Sequence, residues 1–114
     1  MGRFRVSPLI VCLALAGAGP CLADTLSVTL TLKDHRFSPA EFVVPAGQRI
    51  QVVLLNHDKA TEEFDSHDLR VEKLVTPGGK ATFWIGPLAV GSYSFMGEFH
   101  PSTAQGRVKV VEAR

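Results

Sequence analysis

Cysteine is scarce in this chain of 114 residues: there are two, Cys12 and Cys21, and both lie near the N-terminus. Residues 1–23 have the pattern of a cleaved secretory signal peptide, in which two arginines precede an apolar run that ends in small residues. We therefore predict one mature domain over residues 24–114, and this domain has no thiol. The absence of thiols excludes a disulfide, a cysteine nucleophile and a thiolate metal ligand.

A strong charge of one sign and a long apolar run are also missing. Loss of Arg3 and Arg5 with the signal peptide reduces the twelve Lys/Arg to ten, against eleven Asp/Glu, so the mature domain is nearly neutral. Without a basic stripe, binding of nucleic acid or anionic lipid is not indicated. The apolar run over residues 9–16 is too short to span a membrane. We expect a soluble protein that is exported to the periplasm.

The mature domain is rich in alternating apolar and polar residues. The alternation is clean over residues 26–33 and recurs over 49–55, 81–85, 91–95 and 107–110. A period of two is typical of half-buried strands. Glycine and proline mark turns at roughly ten-residue spacing, and no window of adequate length predicts a helix. The pattern predicts a single all-β domain, an antiparallel sandwich or barrel.

Two segments between the predicted strands carry side chains that can bind metals. Residues 56–67 lack a strand period over their full length and predict a loop with Phe64 as its apolar anchor. Residues 96–106 predict a second loop, between the last two strands. The candidate metal ligands in these segments are Glu62, Glu63, His67, Met96, Glu98 and His100.

Three motifs in chain order resemble the cupredoxins, Greek-key sandwiches that usually carry one copper ion. The motifs are Phe37-Ser38-Pro39 followed by Val44-Pro45-Ala46-Gly47, then Asn56 with Asp58, and then Gly91-Ser92-Tyr93-Ser94-Phe95. The resemblance covers nearly all of the mature chain. It implies a cupredoxin-like Greek-key β-sandwich of about seven strands, antiparallel or mixed.

The resemblance also implies where a metal site would lie and which usual ligands are missing. A blue-copper site takes two histidines, one cysteine and usually an axial methionine. His100 matches the second histidine by its spacing after Phe95. The other positions fall on Glu62 or Glu63 for the first histidine, Gly97 or Met96 for the cysteine, and Ala104 for the methionine. A blue-copper centre with a thiolate ligand is therefore excluded.

Most candidate ligands have a competing interpretation. Glu62 and Glu63 would point to opposite faces of a strand, so one faces the site, or both belong to a solvated acidic rim. Met96 is either a thioether ligand or plain packing after the aromatic strand. His100 is interpreted as a ligand, against the alternative of a loop histidine bound to backbone groups.

The remaining candidates are equally open. Glu98 is either a ligand or a rim carboxylate, and His67 is an outer ligand, a hydrogen-bond donor to a ligand, or a surface residue. We interpret His35 and His57 as turn residues. A mixed set of carboxylate, imidazole and thioether suits Cu(II), Cu(I) or Fe(II) better than a dedicated zinc site. We expect copper as the cofactor, with iron as the second choice.

A narrower resemblance concerns function. The run 62–67, Glu-Glu-Phe-Asp-Ser-His, and the run 97–101, Gly-Glu-Phe-His-Pro, resemble the cysteine-less periplasmic cupredoxin-like component of Ftr-type ferrous-iron uptake systems. This resemblance implies work beside a periplasmic iron-binding protein and an inner-membrane iron permease. The expected role is assistance in Fe(II) oxidation, or transfer of metal or electrons to the permease. The alternatives are a periplasmic copper carrier and a metal-free β-sandwich that binds partners through its loops.

Overall fold

The computed structural model describes residues 6–9, as backbone, and residues 25–113. The rest of the predicted signal peptide, with both cysteines, lies outside the described residues. The strands are β1 (Val6–Leu9), β2 (Thr25–Lys33), β3 (Arg36–Ser38), β4 (Glu41–Pro45), β5 (Ile50–Asn56), β6 (Glu62–Ser66), β7 (Val71–Val75), β8 (Lys80–Ile85), β9 (Gly91–Gly97) and β10 (Gln105–Val111). In this described part of the chain no helix is long and apolar enough to cross a membrane.

The strands form two mixed sheets whose inner faces share one apolar core. The first sheet has the order β1-β2-β5-β8, with β3 also paired to β2, and the second has the order β4-β10-β9-β6-β7. The pairs β2–β5 and β4–β10 are parallel, and the other pairs are antiparallel. Parallel pairs require long crossovers, so the two sheets are tied together by connections between them.

Every second residue of the long strands faces the space between the sheets. In β5 burial alternates from Ile50 onwards, as the sequence pattern predicts. Phenylalanines fill the middle of the core: the ring centroid of Phe64 lies 4.7 Å from that of Phe83 and 4.8 Å from that of Phe95. Phe64 and Phe83 belong to different sheets, and aromatic pairs at these distances contribute beyond the area that they bury. This contact therefore holds the two sheets together.

The prediction of a loop throughout residues 56–67 is wrong for β6. Glu62–Ser66 pairs with β7 on one side and with β9 on the other. Its inward residues are Glu62, Phe64 and Ser66, so two of the three buried positions are polar. Buried and part-exposed residues alternate along β6, but the alternation is not visible as an apolar–polar pattern because Glu62 and Ser66 are polar. The strand consequently brings a carboxylate into the interior.

Four segments meet at one end of the sandwich. The turn after β2 contacts the end of β5, where the N–H of His57 donates to the carbonyl of Leu32 at 2.8 Å. The start of β6 contacts the segment after β9, where the N–H of Glu98 donates to the carbonyl of Glu63 at 2.8 Å. These backbone bonds place the side chains of residues far apart in the sequence within reach of one another.

Candidate metal centre

Glu62 is the buried carboxylate at this end of the sandwich, with 1% of its surface exposed. Its Oε1 accepts hydrogen bonds from the N–H groups of Phe99 at 2.8 Å and Glu63 at 3.2 Å. Its Oε2 lies 2.5 Å from Nδ1 of His100. A buried carboxylate is costly unless it is paired with positive charge and hydrogen-bonded. Within residues 25–113 the ion pair of Glu62 is with His100 and not with lysine or arginine.

His100 lies on a tight segment between β9 and β10. Its N–H donates to the carbonyl of Gly97 at 3.1 Å, and its own carbonyl accepts from the N–H of Ala104 at 2.8 Å. These bonds fix the backbone on both sides of the histidine. The imidazole is 30% exposed, so one side of it contacts Glu62 and another is open to solvent.

His35 is the third member of the group, and the sequence did not indicate it. It lies in the turn between β2 and β3 with a φ of 58°, so the interpretation as a turn residue holds for its backbone. Its imidazole stacks on that of His100, with ring centroids 3.6 Å apart and an angle of 12° between the planes. No spacing rule connects residues 35 and 100, because their contact depends on how the two sheets pack.

Together these three side chains form a donor set for a metal ion. His35, Glu62 and His100 each offer one ligand atom, and these atoms all lie within 4.8 Å of one another. Two imidazoles and one carboxylate, at bond lengths of about 2.0 to 2.2 Å, are a ligand set that divalent transition metals accept. The donor chemistry therefore fits a metal ion without sulfur ligands. Zinc, copper and iron all accept nitrogen and oxygen donors of this kind.

Asp58 and Asn56 support this group from the end of β5. The Asp58 carboxylate accepts from the N–H groups of Asp34 at 2.6 Å and His35 at 2.9 Å. Burial raises the pKa of the Asp58 carboxyl, but the N–H donors of His35 and Asp34 outweigh it and hold that pKa below its usual value. Asn56 is fully buried and accepts from the N–H of Asp58 at 2.9 Å.

The structure places the other predicted ligands away from this group. Glu63 points to the opposite face of β6 from Glu62, as alternation along a strand requires. Met96 is 40% exposed and pairs with Asp65 in the sheet register. Glu98 and His67 are exposed. The structure thus brings together two of the six predicted ligands, Glu62 and His100, and adds His35; metal binding by any of them stays a prediction.

Gly97 occupies one of the two positions, with Met96 as the other, that the resemblance assigns to the thiolate. A Cβ atom at Gly97 would lie 2.7 Å from Cδ of Glu62 and 2.7 Å from Cβ of Ala104. Both distances are shorter than real Cβ contacts. The side chain of Glu62 therefore fills the space that a cysteine at residue 97 would need, and the two ligand types exclude each other.

Residues 5–110 match the family profile of the cupredoxin-like domain. This chain belongs to the cupredoxin-like family. The uncharacterized protein RP394 of Rickettsia prowazekii (strain Madrid E) is 42% identical to it over 87 residues, which are 76% of this chain and 70% of that protein. Membership confirms the resemblance to cupredoxins that the sequence motifs indicated.

Solved structures show the same cupredoxin-like fold at low sequence identity. The metal-binding domain of the Cu(I)-exporting P-type ATPase CopA of Streptococcus pneumoniae, with Cu(I), has a TM-score of 0.69 and 12% identity, covering 77% of this chain and 87% of that one. The blue copper protein auracyanin A of Chloroflexus aurantiacus has a TM-score of 0.64 and 13% identity, covering 75% of this chain and 98% of that one. The purple cupredoxin of Nitrosopumilus maritimus has a TM-score of 0.57 and 18% identity, covering 73% of this chain and 98% of that one. These likenesses confirm the predicted all-β cupredoxin-like sandwich.

The outer face of the second sheet of this cupredoxin-like protein carries a group of carboxylates. Glu98 shares a hydrogen bond with Asp65, and this bond, the charge of Asp65 and the nearby charges of Glu63 and Glu72 raise the pKa of Glu98 above its usual value of 4.5. At neutral pH these like charges repel one another. The group lies outside the buried donor set, since Glu63 and Asp65 face away from Glu62 along β6.

Substitution of Gly97→Ala should displace the Glu62 carboxylate. Because the new methyl group meets Glu62 and Ala104, we expect the free energy of unfolding to fall by about 1 to 3 kcal/mol, as for other overpacked sites. Urea unfolding measures this loss. Gly97→Ala with Ala104→Gly removes the contact with residue 104 but keeps the contact with Glu62, so it should recover part of the stability. Wild-type stability in the single variant would show that Glu62 does not fill this space.

Substitution of Glu98→Gln should stabilise the protein at pH 7, because it removes one charge from the acidic group. The unfolded chain loses its Glu98 proton near pH 4.5 and the folded chain loses it at higher pH. The stability of the wild type therefore falls as pH rises through this window and stays lower above it. The difference in free energy of unfolding between Glu98→Gln and the wild type should shrink as pH falls below the pKa of Glu98 in the unfolded chain.

Chemical unfolding from pH 4 to pH 8 checks this pH dependence. The matched control is Glu112→Gln, which neutralises an exposed carboxyl after the last strand. An equal difference between Glu98→Gln and the wild type at every pH would contradict the raised pKa.

Proposed function

We propose that this cupredoxin-like protein binds copper through His35, Glu62 and His100 and serves ferrous-iron uptake in the periplasm. The observation that supports copper binding most is the convergence of two imidazoles and one buried carboxylate within 4.8 Å. The position of this group supports it too, because it lies where the family resemblance expects a metal and where Gly97 leaves no sulfur donor.

The donor set favours a divalent ion. Carboxylate and imidazole are harder ligands than thiolate and thioether, so Cu(II) suits the group better than Cu(I). The negative charge of Glu62, held in a poorly hydrated interior, further stabilises an ion of higher charge. Bound copper supplies a one-electron redox couple. His35 and His100 are 42% and 30% exposed, so a partner can approach the imidazoles directly.

The iron part of the proposal has a different support. The runs over residues 62–67 and 97–101 resemble the cupredoxin-like component of Ftr-type ferrous-iron uptake systems. Such a protein works with a periplasmic iron-binding protein and an inner-membrane iron permease. In this role the protein assists oxidation of Fe(II), or passes metal or electrons towards the permease. The predicted signal peptide over residues 1–23 supports the proposed export to the periplasm.

A periplasmic copper carrier is the second candidate. Similarity in fold to the CopA metal-binding domain with Cu(I) favours this candidate. The two functions differ in their preferred oxidation state and in their effect on iron. An iron-uptake component that uses the carboxylate prefers Cu(II), whereas a carrier that resembles the CopA domain in function prefers Cu(I).

Metal titration of the purified mature domain tests the site. We expect Cu(II) to bind in a one-to-one ratio without an intense blue absorption band, because no thiolate is present. His35→Ala, Glu62→Gln and His100→Ala should each lower the affinity by at least about 10-fold, the lower end of what loss of a ligand's hydrogen-bond partner costs.

Matched control substitutions separate the buried donor set from the outer face. Glu63→Gln, His67→Ala and Met96→Ala replace candidate ligands that the structure places elsewhere, and we expect wild-type affinity for all three. Equal losses in both sets would contradict the assignment of ligands. Absence of binding by Cu(II), Cu(I) and Fe(II) under anaerobic conditions would leave the metal-free interaction module as the function.

Uptake of radioactive Fe(II) by cells tests the physiological role. Deletion of the gene should lower uptake, the wild-type gene should restore it, and His100→Ala should not. Normal iron uptake in the deletion strain, together with sensitivity to copper, would contradict the iron role and favour the copper carrier.

A further inference from the structure

Asp58 holds the turn that carries His35. Its Oδ1 accepts from the N–H of Asp34 at 2.6 Å and its Oδ2 from the N–H of His35 at 2.9 Å. Both turn residues have positive φ values, 52° for Asp34 and 58° for His35. Residues other than glycine adopt this left-handed conformation rarely. The two hydrogen bonds to one carboxylate stabilise a backbone conformation that the turn residues do not favour on their own.

Asp58 is itself fixed in position by a buried asparagine. Asn56 accepts from the N–H of Asp58 at 2.9 Å through Oδ1. The Nδ2 of the same side chain donates to the carbonyls of Ala60 at 2.9 Å and Val75 at 3.2 Å. These bonds anchor the segment after β5 to β7. The carboxylate of Asp58 therefore has a defined place, and its side chain is 11% exposed.

The same carboxylate also faces the imidazole of His35. Oδ2 lies 3.5 Å from Nδ1 of His35, while one face of the ring stacks on His100 at 3.6 Å. A carboxylate beside one ring nitrogen favours the proton on that nitrogen and leaves the lone pair on the other. At 3.5 Å this contact is longer than a hydrogen bond, so it acts through the charge of the carboxylate, and we expect Nε2 of His35 to be the nitrogen that binds an ion.

We propose that Asp58 is a positioning residue of the metal centre, which sets both the backbone and the ligating nitrogen of His35. This inference rests on the proposed copper site, because it assigns His35 as a ligand. The hydrogen bonds of Asp58 are with the 34–35 turn and with Asn56, so we expect it to act through His35, although the charge of His100 also lies near its carboxylate. A carboxylate that merely stabilises a turn would affect stability without changing the ligand set of the ion.

The test compares Asp58→Asn with the wild type. Asparagine keeps the size of the side chain but has one acceptor oxygen, so it cannot receive both N–H groups and also face Nδ1. We expect the Cu(II) affinity to fall by about 10- to 100-fold, the usual cost of losing a partner of a ligand. The electron paramagnetic resonance spectrum should change from two coordinated imidazole nitrogens to one.

The matched control is Asp68→Asn. Asp68 also accepts two hydrogen bonds through one carboxylate, from the N–H of Ser94 at 3.0 Å and from its hydroxyl at 3.1 Å, but it contacts neither histidine of the donor set. This variant loses a comparable pair of bonds on β9. Its copper affinity and spectrum should equal those of the wild type.

A double-mutant comparison shows whether Asp58 acts through His35. In a protein that already carries His35→Gln, Asp58→Asn should change the Cu(II) affinity by less than about twofold, because nothing remains to be positioned. An equal loss in both backgrounds would overturn the proposal. So would a wild-type spectrum with two nitrogens in Asp58→Asn.

Nuclear magnetic resonance of the metal-free protein separates this inference from the proposed copper site. Nitrogen-15 shifts report which ring nitrogen of His35 carries the proton, and we expect Nδ1 in the wild type and a mixture in Asp58→Asn. If the wild type binds no copper, the site fails while the positioning of His35 is still measured. An unchanged nitrogen pattern in Asp58→Asn would overturn the positioning role with or without copper.

Discussion

The hydrogen bonds of the buried Glu62 carboxylate determine how the rest of this site is arranged. They join β6 to the segment after β9, through the N–H of Phe99 and the imidazole of His100. A side chain at residue 97 would collide with this carboxylate, so the Glu62 carboxylate can occupy its place only because residue 97 is glycine. Among residues 25–113 no lysine or arginine pairs with this buried carboxylate, so a metal ion bound here would supply positive charge beside it.

The fold supplies the remaining parts of the site. Parallel pairing of β2 with β5 places the 34–35 turn beside Asp58, and the packing of the sheets places His35 on His100. A cupredoxin-like sandwich thus keeps a donor group at one end although every sulfur ligand of a blue-copper site is absent from it. Under the proposed function, a metal bound by this group would have nitrogen and oxygen ligands in place of the covalent thiolate bond of a blue-copper site, and such ligands favour Cu(II).

The sequence predicted those features that have a local cause. Strands such as β2 and β5 show clean alternation because their inward residues are apolar, and His100 follows an aromatic strand at a family spacing. The sequence did not predict strand β6, because Glu62 and Ser66 are polar residues at buried positions. The sequence did not predict His35 as a ligand, because its place in the donor set depends on contacts between distant segments. A histidine in a turn is also common without any metal. The choice between Glu62 and Glu63 needed the register of β6 against β9.

X-ray absorption at the copper edge of the Cu(II)-loaded mature domain tests the central claim most directly, because it reports the ligand atoms themselves. We expect oxygen and nitrogen neighbours at about 2.0 Å, with the multiple-scattering pattern of two imidazoles and no sulfur. Glu62→Gln should change the oxygen contribution and keep both imidazoles. A sulfur neighbour at about 2.3 Å, or a signal with a single imidazole in the wild type, would contradict a centre built from His35, Glu62 and His100.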